Sequence, residues 1–211
     1  MTILVALAAL SAVQEPQTIS LFDGKSLNGW HQDIPTNDGS DSPVDAFTVR
    51  NGVLVSKGTP MGHLITDSQY ENYRLTVEYR YTKEAGNSGV IVHVSIPRKI
   101  RNFLPQGVEC QLRSGSGGDF FLFGETIAKS SAPDERLSRV PNMTDDSENE
   151  IGEWNTMVVD CRGDSIRVWM NDDFVNDGVK CSVSKGQIAL QSEGAEVEFR
   201  KIELKMLDLT Q

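Results

Sequence analysis

Apolar and polar residues alternate along most of this chain in short runs set off by Gly, Asn, Asp and Pro. A period of two is the signature of a half-buried strand, and the period of 3.6 that marks a helix is almost absent. The pattern predicts strands near Ile19 to Phe22, Phe47 to Arg50, Val53 to Lys57, His63 to Thr66, Tyr73 to Thr82, Gly89 to Ser95 and Gly107 to Ser114. It predicts further strands at Trp154 to Arg162, Ser165 to Asn171, Gly186 to Gln191 and Ala195 to Met206. Asn51-Gly52 and Arg162-Gly163-Asp164 are hairpin turns by composition, since their residues tolerate a positive φ. Short strands joined by tight turns, with no helices between them, imply an all-β, two-sheet antiparallel β-sandwich rather than a parallel α/β fold. Two segments, Asp33 to Asp45 and Ile127 to Ile151, read as irregular.

Successive strand residues point to opposite faces, so each strand divides into a core side and an outward side. Leu75, Val77 and Tyr79 oppose Arg74, Thr76, Glu78 and Arg80; Val90, Val92 and Val94 oppose Ile91, His93 and Ser95; Val108, Cys110 and Leu112 oppose Glu109, Gln111 and Arg113. If the first two strands turn around Lys83 to Gly86 and the last two around Arg101, Glu78, His93 and Glu109 form a row on one polar face. A histidine between two carboxylates has a raised pKa. Such a trio suits a general base, a set of ligands in which His93 and Glu109 hold a divalent metal ion, or a plain ion-paired surface. Two carboxylates facing each other across a groove also fit glycosidases, whose acid and base lie roughly 5 to 10 Å apart. The residues alone leave these readings open.

Asn87 and Ser88 sit in the tight Gly86 to Gly89 turn, and Gln191, Ser192 and Glu193 precede Gly194, where glycine lets backbone approach a ligand. Phe120, Phe121 and Phe123 suit the next core strand or a sugar-stacking rim. Gly115 to Gly118 precedes no helix and no Gly-Lys-Ser/Thr, so it is not a phosphate loop. A Gly-x-Ser-x-Gly elbow, a His-Glu-x-x-His pair and a dinucleotide fingerprint are all missing. Of the other histidines, His31 reads as a loop position and His63 as a strand end.

Composition narrows the classes further. Of 211 residues, 38% are hydrophobic, enough for a folded core. Thirty acidic residues against 20 basic ones give a net charge of -10, with no basic run, which argues against nucleic acid as a partner. Beyond the first thirteen residues no apolar stretch approaches the roughly 20 needed for a membrane-spanning helix. Thr2 to Val13 reads as the apolar core of a signal peptide over residues 1–14, or as an apolar N-terminus docked on the domain. Export predicts a secreted or periplasmic protein, with residues 15–211 as a single domain. Cys110, Cys161 and Cys181 include no CxxC; in an exported chain Cys161 and Cys181 are the pair to bridge, and three buried free thiols are the alternative. Val140 to Cys161 lacks Lys and Arg but carries Asp145, Asp146, Glu148, Glu150, Glu153 and Asp160, an acidic loop without the spacing of an EF-hand calcium site.

The local motifs follow one another in a familiar order. LFDGKSLNGW (Leu21 to Trp30), FTVRNGVLVSKG (Phe47 to Gly58), YENYRLTVEYRY (Tyr70 to Tyr81) and GNSGVIVH (Gly86 to His93) lead to VECQLRSGSGGDF, GEWNTMVVDCRGDSIRVWMND and GQIALQSEGAEVEFRKIEL. From about Ile19 to Leu207 the chain resembles the 3-keto-disaccharide hydrolase domain family. The resemblance implies a concanavalin A-like jelly roll acting on carbohydrate oxidised at carbon 3. After GNSG, where many members carry an aromatic pair and arginine, this chain has Val90-Ile91-Val92-His93.

A ketone at carbon 3 acidifies the hydrogen on carbon 2 and sets the glycosidic oxygen in the β position, so elimination followed by hydration cleaves the bond. A base must take the proton while a donor or cation steadies the enolate. Glu109 or His93 is the expected base, Arg80 the electrophilic support, and Glu78, Asn87, Gln111 and Gln191 the groups that bind sugar hydroxyls. Two rival readings use the same residues differently: a non-catalytic carbohydrate-binding module with aromatic platforms, and an accessory partner in a surface polysaccharide-degrading complex that docks through the acidic loop.

Overall fold

The computed structural model describes residues 18–144 and 146–208, so the leader over residues 1–14 and Asp145 lie outside the described residues. In chain order the strands are Thr18–Ser20 (β1), Trp30–Asp33 (β2), Phe47–Arg50 (β3), Val53–Ser56 (β4), Gly62–Thr66 (β5), Tyr70–Glu71 (β6), Tyr73–Tyr81 (β7), Gly89–Ile100 (β8) and Leu104–Gln111 (β9). They continue as Phe120–Phe123 (β10), Ile127–Lys129 (β11), Ala132–Leu137 (β12), Arg139–Val140 (β13), Asn155–Arg162 (β14), Ser165–Met170 (β15), Asp173–Gly178 (β16), Lys185–Ser192 (β17) and Val197–Met206 (β18). One short 3-10 turn, Pro35–Asn37, interrupts the first irregular segment.

Two antiparallel sheets carry these strands. The first runs β16-β15-β14-β7-β18-β4-β3, with β1 also on β18; the second runs β13-β10-β9-β8-β17-β5-β2, with β6 also on β17. A separate hairpin joins β11 to β12. Alternation decides the layering: Tyr73, Leu75, Val77, Tyr79 and Tyr81 on β7 are all buried and pack in one core with Val90, Val92, Val108, Cys110 and Leu112 of the second sheet. Burying facing apolar rows between two sheets is the main stabilising term of such a sandwich. Asn51 and Gly52 take φ of 54° and 81°, as a type I′ turn between β3 and β4 requires.

The connection from β7 to β8 is where the expected row of Glu78, His93 and Glu109 fails. The seven residues Thr82 to Ser88 do not close a hairpin; they carry the chain from the first sheet to the second, so β7 and β8 face each other instead of pairing. Gly86 permits the crossing, since a Cβ there would stand 2.2 Å from the Cβ of Ala195.

The β8–β9 hairpin is also out of its expected register. Glu109 pairs with Ile91, two residues from His93, and the pairing shifts between Val92 and Ile96 and again between Ile96 and Ile100. At the first shift His93 takes a φ of 58° and at the second Arg98 takes 52°. A bulge adds a residue and turns its side chain aside. His93 is thereby fully buried in the sandwich, 5.9 Å from the Tyr73 ring, instead of facing outward.

Other expectations need smaller corrections. Ile127 to Ile151 holds β11, β12 and β13; β2, β6 and β16 are additional strands, and Phe120 to Phe123 form the strand β10 that their spacing suits. Cys110, Cys161 and Cys181 are buried free thiols, so Cys161 and Cys181 are not bridged. The acidic loop is tied down by Glu148, whose carboxylate accepts hydrogen bonds from the backbone N–H groups of Gly115 (2.8 Å) and Gly117 (3.2 Å). Among the described residues no helix is long and apolar enough to cross a membrane.

Candidate functional site

On the outward face of the second sheet, register places one residue from each strand in a continuous row. Arg139 of β13 pairs with Phe121 of β10, Phe121 with Glu109 of β9, Glu109 with Ile91 of β8, Ile91 with Ala189 of β17, and Ala189 with Ile65 of β5. Ile65, Ile91, Val94 and Ala189 form a small buried apolar cluster, against which Phe123 packs. Glu109 therefore stands between the aromatic ring of Phe121 and an apolar stretch of floor, as the acidic member of the row. Above it opens a groove of about 410 Å³, walled by Phe103 and Leu104 from the end of the β8–β9 hairpin and by Asn87, Arg113 and Glu193 on the other side. A second depression of about 470 Å³ shares Asn87, Arg113 and Glu193 with it.

Glu109 is 3% exposed, and its Oε1 has no hydrogen-bond partner. It lies over Gly89, the diagonal position on β8, where no side chain competes for the space. Burial, reinforced by the neighbouring Glu193 carboxylate, pushes the Glu109 pKa up to about 8. Burial also raises the Glu193 pKa, with Arg113 pulling the other way. A carboxyl held this way is a far stronger base, once ionised, than an exposed one.

The amides around it are oriented by their own partners. The side-chain oxygen of Gln111 accepts from the N–H groups of Leu112 (2.9 Å) and Arg113 (2.8 Å), which leaves its amide nitrogen as a donor without a protein acceptor. Gln191 Oε1 and Asn87 Oδ1 are buried acceptors without partners. Ser88 fixes the strand beneath them by donating its Oγ–H to the Gln191 carbonyl at 2.7 Å. Unmade hydrogen bonds on buried acceptors are costly, so three such atoms in one groove mark where donors from a ligand would be taken up.

Of the residues singled out from sequence, Glu109, Gln111, Asn87 and Gln191 come together here. Three others do not. His93 lies on the core side of the sheet, where burial lowers its pKa to about 4, the opposite of the rise expected between two carboxylates. Glu78 and Arg80 lie on the outer face of the other sheet. Arg80 donates to Glu198 at 2.8 and 2.9 Å, Glu78 is paired with Arg200, and the Arg80 and Arg200 guanidiniums each stack 4.5 Å from the Trp154 ring centre. The separation also parts His93 from Glu109 as a metal pair. Among the described residues no group of three or more His, Cys, Asp or Glu is placed to hold a metal ion.

Residues 17–205 match the profile of the 3-keto-alpha-glucoside-1,2-lyase-like domain. The chain belongs to that family. A solved structure from Parabacteroides distasonis ATCC 8503, assigned as a glycosyl hydrolase, is similar with a TM-score of 0.67 and 21% identity, covering 90% of this chain and 94% of that one. The carbohydrate-binding module CBM66 from Bacillus subtilis is similar with a TM-score of 0.55 and 12% identity, over 84% of this chain and 95% of that one. A Bacillus licheniformis beta-glucanase gives 0.55 and 9%, over 92% and 99%. No curated protein matches the sequence. These likenesses establish the concanavalin A-like jelly roll as the shared fold.

Seen as a 3-keto-alpha-glucoside-1,2-lyase-like domain, the chain carries groove residues that the sequence pattern does not mark. Phe103 and Arg101 belong to the turn between β8 and β9, where neither period nor motif marks them. His63 is indeed next to the end of β5, and it is buried there beneath the turn, in register with Gln191 and tilted against the Phe103 ring with centroids 5.0 Å apart. The alternation of Gly-His-Leu-Ile-Thr was the available signal: Leu64 enters the core, which turns His63 and Ile65 outward. Phe121 and Phe123 line the groove while Phe120 and Leu122 fill the core, so β10 is a core strand on one face and groove wall on the other.

Proposed function

We propose that the groove on the outer face of the second sheet cleaves 3-keto-glycosides by elimination, with Glu109 as the base. The observation that carries this reading is the Glu109 carboxyl, buried, unpaired at Oε1 and shifted up to about 8. Ionised Glu109 removes the proton from carbon 2, and the ketone oxygen takes up the charge as an enolate. The free amide nitrogen of Gln111 is the nearest fixed donor on the same strand and face, so it takes the role that Arg80, on the far sheet, does not fill. Collapse of the enolate forms the carbon 1–carbon 2 double bond and breaks the bond from carbon 1 to the glycosidic oxygen. The proton held by Glu109 passes to the departing oxygen, and water then adds across the double bond. Asn87 and Gln191 accept hydrogen bonds from sugar hydroxyls.

Aromatic walls favour a second reading, a non-catalytic carbohydrate-binding module. Phe103, Phe121 and Phe123 line the groove and offer ring faces and edges to a sugar. Stacking needs no proton transfer, so it is independent of the state of Glu109. Incubating the protein with 3-keto-disaccharides and their unoxidised parents, with and without a chelator, separates the two. Release of monosaccharide from the keto-sugars alone supports elimination; sugar binding without release supports the module. Export through the apolar leader would bring either activity to sugars outside the cytoplasm.

A further inference from the structure

We infer that the sugar taken by this groove is acidic, carrying a carboxylate or a sulfate that Arg101 and Arg113 receive. The inference rests on the reading of the groove as a carbohydrate site. Among the described residues the guanidiniums of Arg101 and Arg113 make no hydrogen bond or ion pair, and both side chains line the groove. Arg139, also on the rim, is held by Asp119 at 2.9 Å and by the face of Phe121. Of the other arginines, Arg50, Arg74, Arg80, Arg98, Arg162 and Arg200 sit beside carboxylates and Arg136 donates to the Lys180 carbonyl, while Arg167, on the other sheet, is a third guanidinium without such a partner. In a chain of net charge -10, guanidiniums without counter-ions are a minority, and this groove gathers two of them.

The carboxyls within the groove do not cancel that charge. Glu109 holds its proton up to about pH 8; burial also raises the pKa of Glu193, which feels the charge of Arg113 without an ion pair to it, and Glu84 lines the adjoining depression. The groove thus combines orphan acceptors for hydroxyl donors (Asn87 Oδ1, Gln191 Oε1) with guanidiniums that no carboxylate holds in an ion pair. One ligand chemistry satisfies both, a polyol bearing a negative group. Guanidinium pairs with a planar carboxylate or a sulfate through two parallel hydrogen bonds, and that geometry discriminates as well as attracts.

The test compares matched 3-keto-disaccharides that carry a hydroxymethyl, a carboxylate or a sulfate at carbon 6, measuring binding and monosaccharide release at low and high salt. A preference of about tenfold or more for an acidic sugar is expected, in line with one or two charge-assisted hydrogen bonds. It should shrink with salt and fall about tenfold in Arg101→Gln or Arg113→Gln, while Arg167→Gln, an arginine of the other sheet, leaves it intact. The carboxylate and sulfate arms identify which anion is used. Equal or better handling of the neutral sugar, or an acid preference that survives both substitutions, overturns the inference and leaves glycoside cleavage standing. Failure of all three sugars to bind removes the carbohydrate site itself.

Discussion

The carboxyl of Glu109 fills the space that a side chain on Gly89 would need: a Cβ on Gly89 would stand 2.1 Å from Oε1 and 2.7 Å from Cγ of Glu109. Gly89 has an ordinary strand backbone, so its value here is room, not conformational freedom. Gly89→Ala should therefore push Glu109 off its seat with little backbone strain. Turnover of a 3-keto-glycoside is expected to fall about 100-fold, as displacement of a reacting group by an ångström does, while stability drops by about 1–3 kcal/mol from overpacking. Parallel assays of turnover and urea unfolding would check both; full activity in the alanine variant would mean that Glu109 has no part in the step.

Glu109 also sets a pH dependence. As a base it must be ionised, so kcat/KM should climb with pH and level off above about 8. Glu109→Gln should lose about 100-fold or more and show a flat residual profile. Stability moves in the opposite sense: between 4.5 and about 8 the folded protein keeps a proton that the unfolded chain has released, so stability declines as pH rises. The glutamine variant should lack that decline, which unfolding midpoints at pH 5, 7 and 9 would reveal.

Two buried histidines give the protein an acid weakness. Burial lowers His63 and His93 to about 4, so the unfolded chain binds protons there that the folded one refuses. Stability should fall as pH drops from 6.5 towards 4, by a few kcal/mol at most for each ring. Asp33 offsets a little of this for His63. His93→Asn, which keeps a residue tolerant of positive φ, should soften the acid transition and retain turnover per folded molecule. Loss of turnover with folding intact would return His93 to the site.

Arg80 and Glu78 serve the first sheet. Arg80→Gln removes a half-exposed ion pair with Glu198 and one side of the Trp154 stack, at an expected cost of about 1 kcal/mol. Turnover should be unchanged in it and in Glu78→Gln. A calorimetric melt together with a sugar assay distinguishes this from a catalytic role, for which activity would fall without the melt moving.

Much of the sandwich can be read from alternation, because burial of one strand face is a local property of each segment. Tyr73 to Tyr81 and Glu109 to Arg113 sort onto the faces assigned to them for that reason. Which sheet a strand joins is not local. The Glu78-containing strand and the His93-containing strand have compatible faces for a hairpin, and only the close packing of Gly86 on Ala195 and Tyr81 reveals a crossing. The site suffers from a second non-local effect: a bulge inverts the side of one residue without altering the letters around it, and His93 in Val-His-Val gives no sign of its positive φ. Asn87, Glu109, Gln111 and Gln191 were legible together because no register irregularity separates Gly89 to Val92 from its partner strand.

The bulge at His93 has an evolutionary side. Relative to β17, β8 carries one residue more than its partner at this point, yet Ile91 and Val94 on either side face the same way. His93 thus behaves as an insertion that leaves the side-chain pattern of its strand in phase. A relative without that residue would present the same alternating lining on a more regular ribbon. Single-residue length changes in this hairpin are accordingly a route by which descendants of one ancestor reshape the groove without taking the residues around Glu109 out of phase.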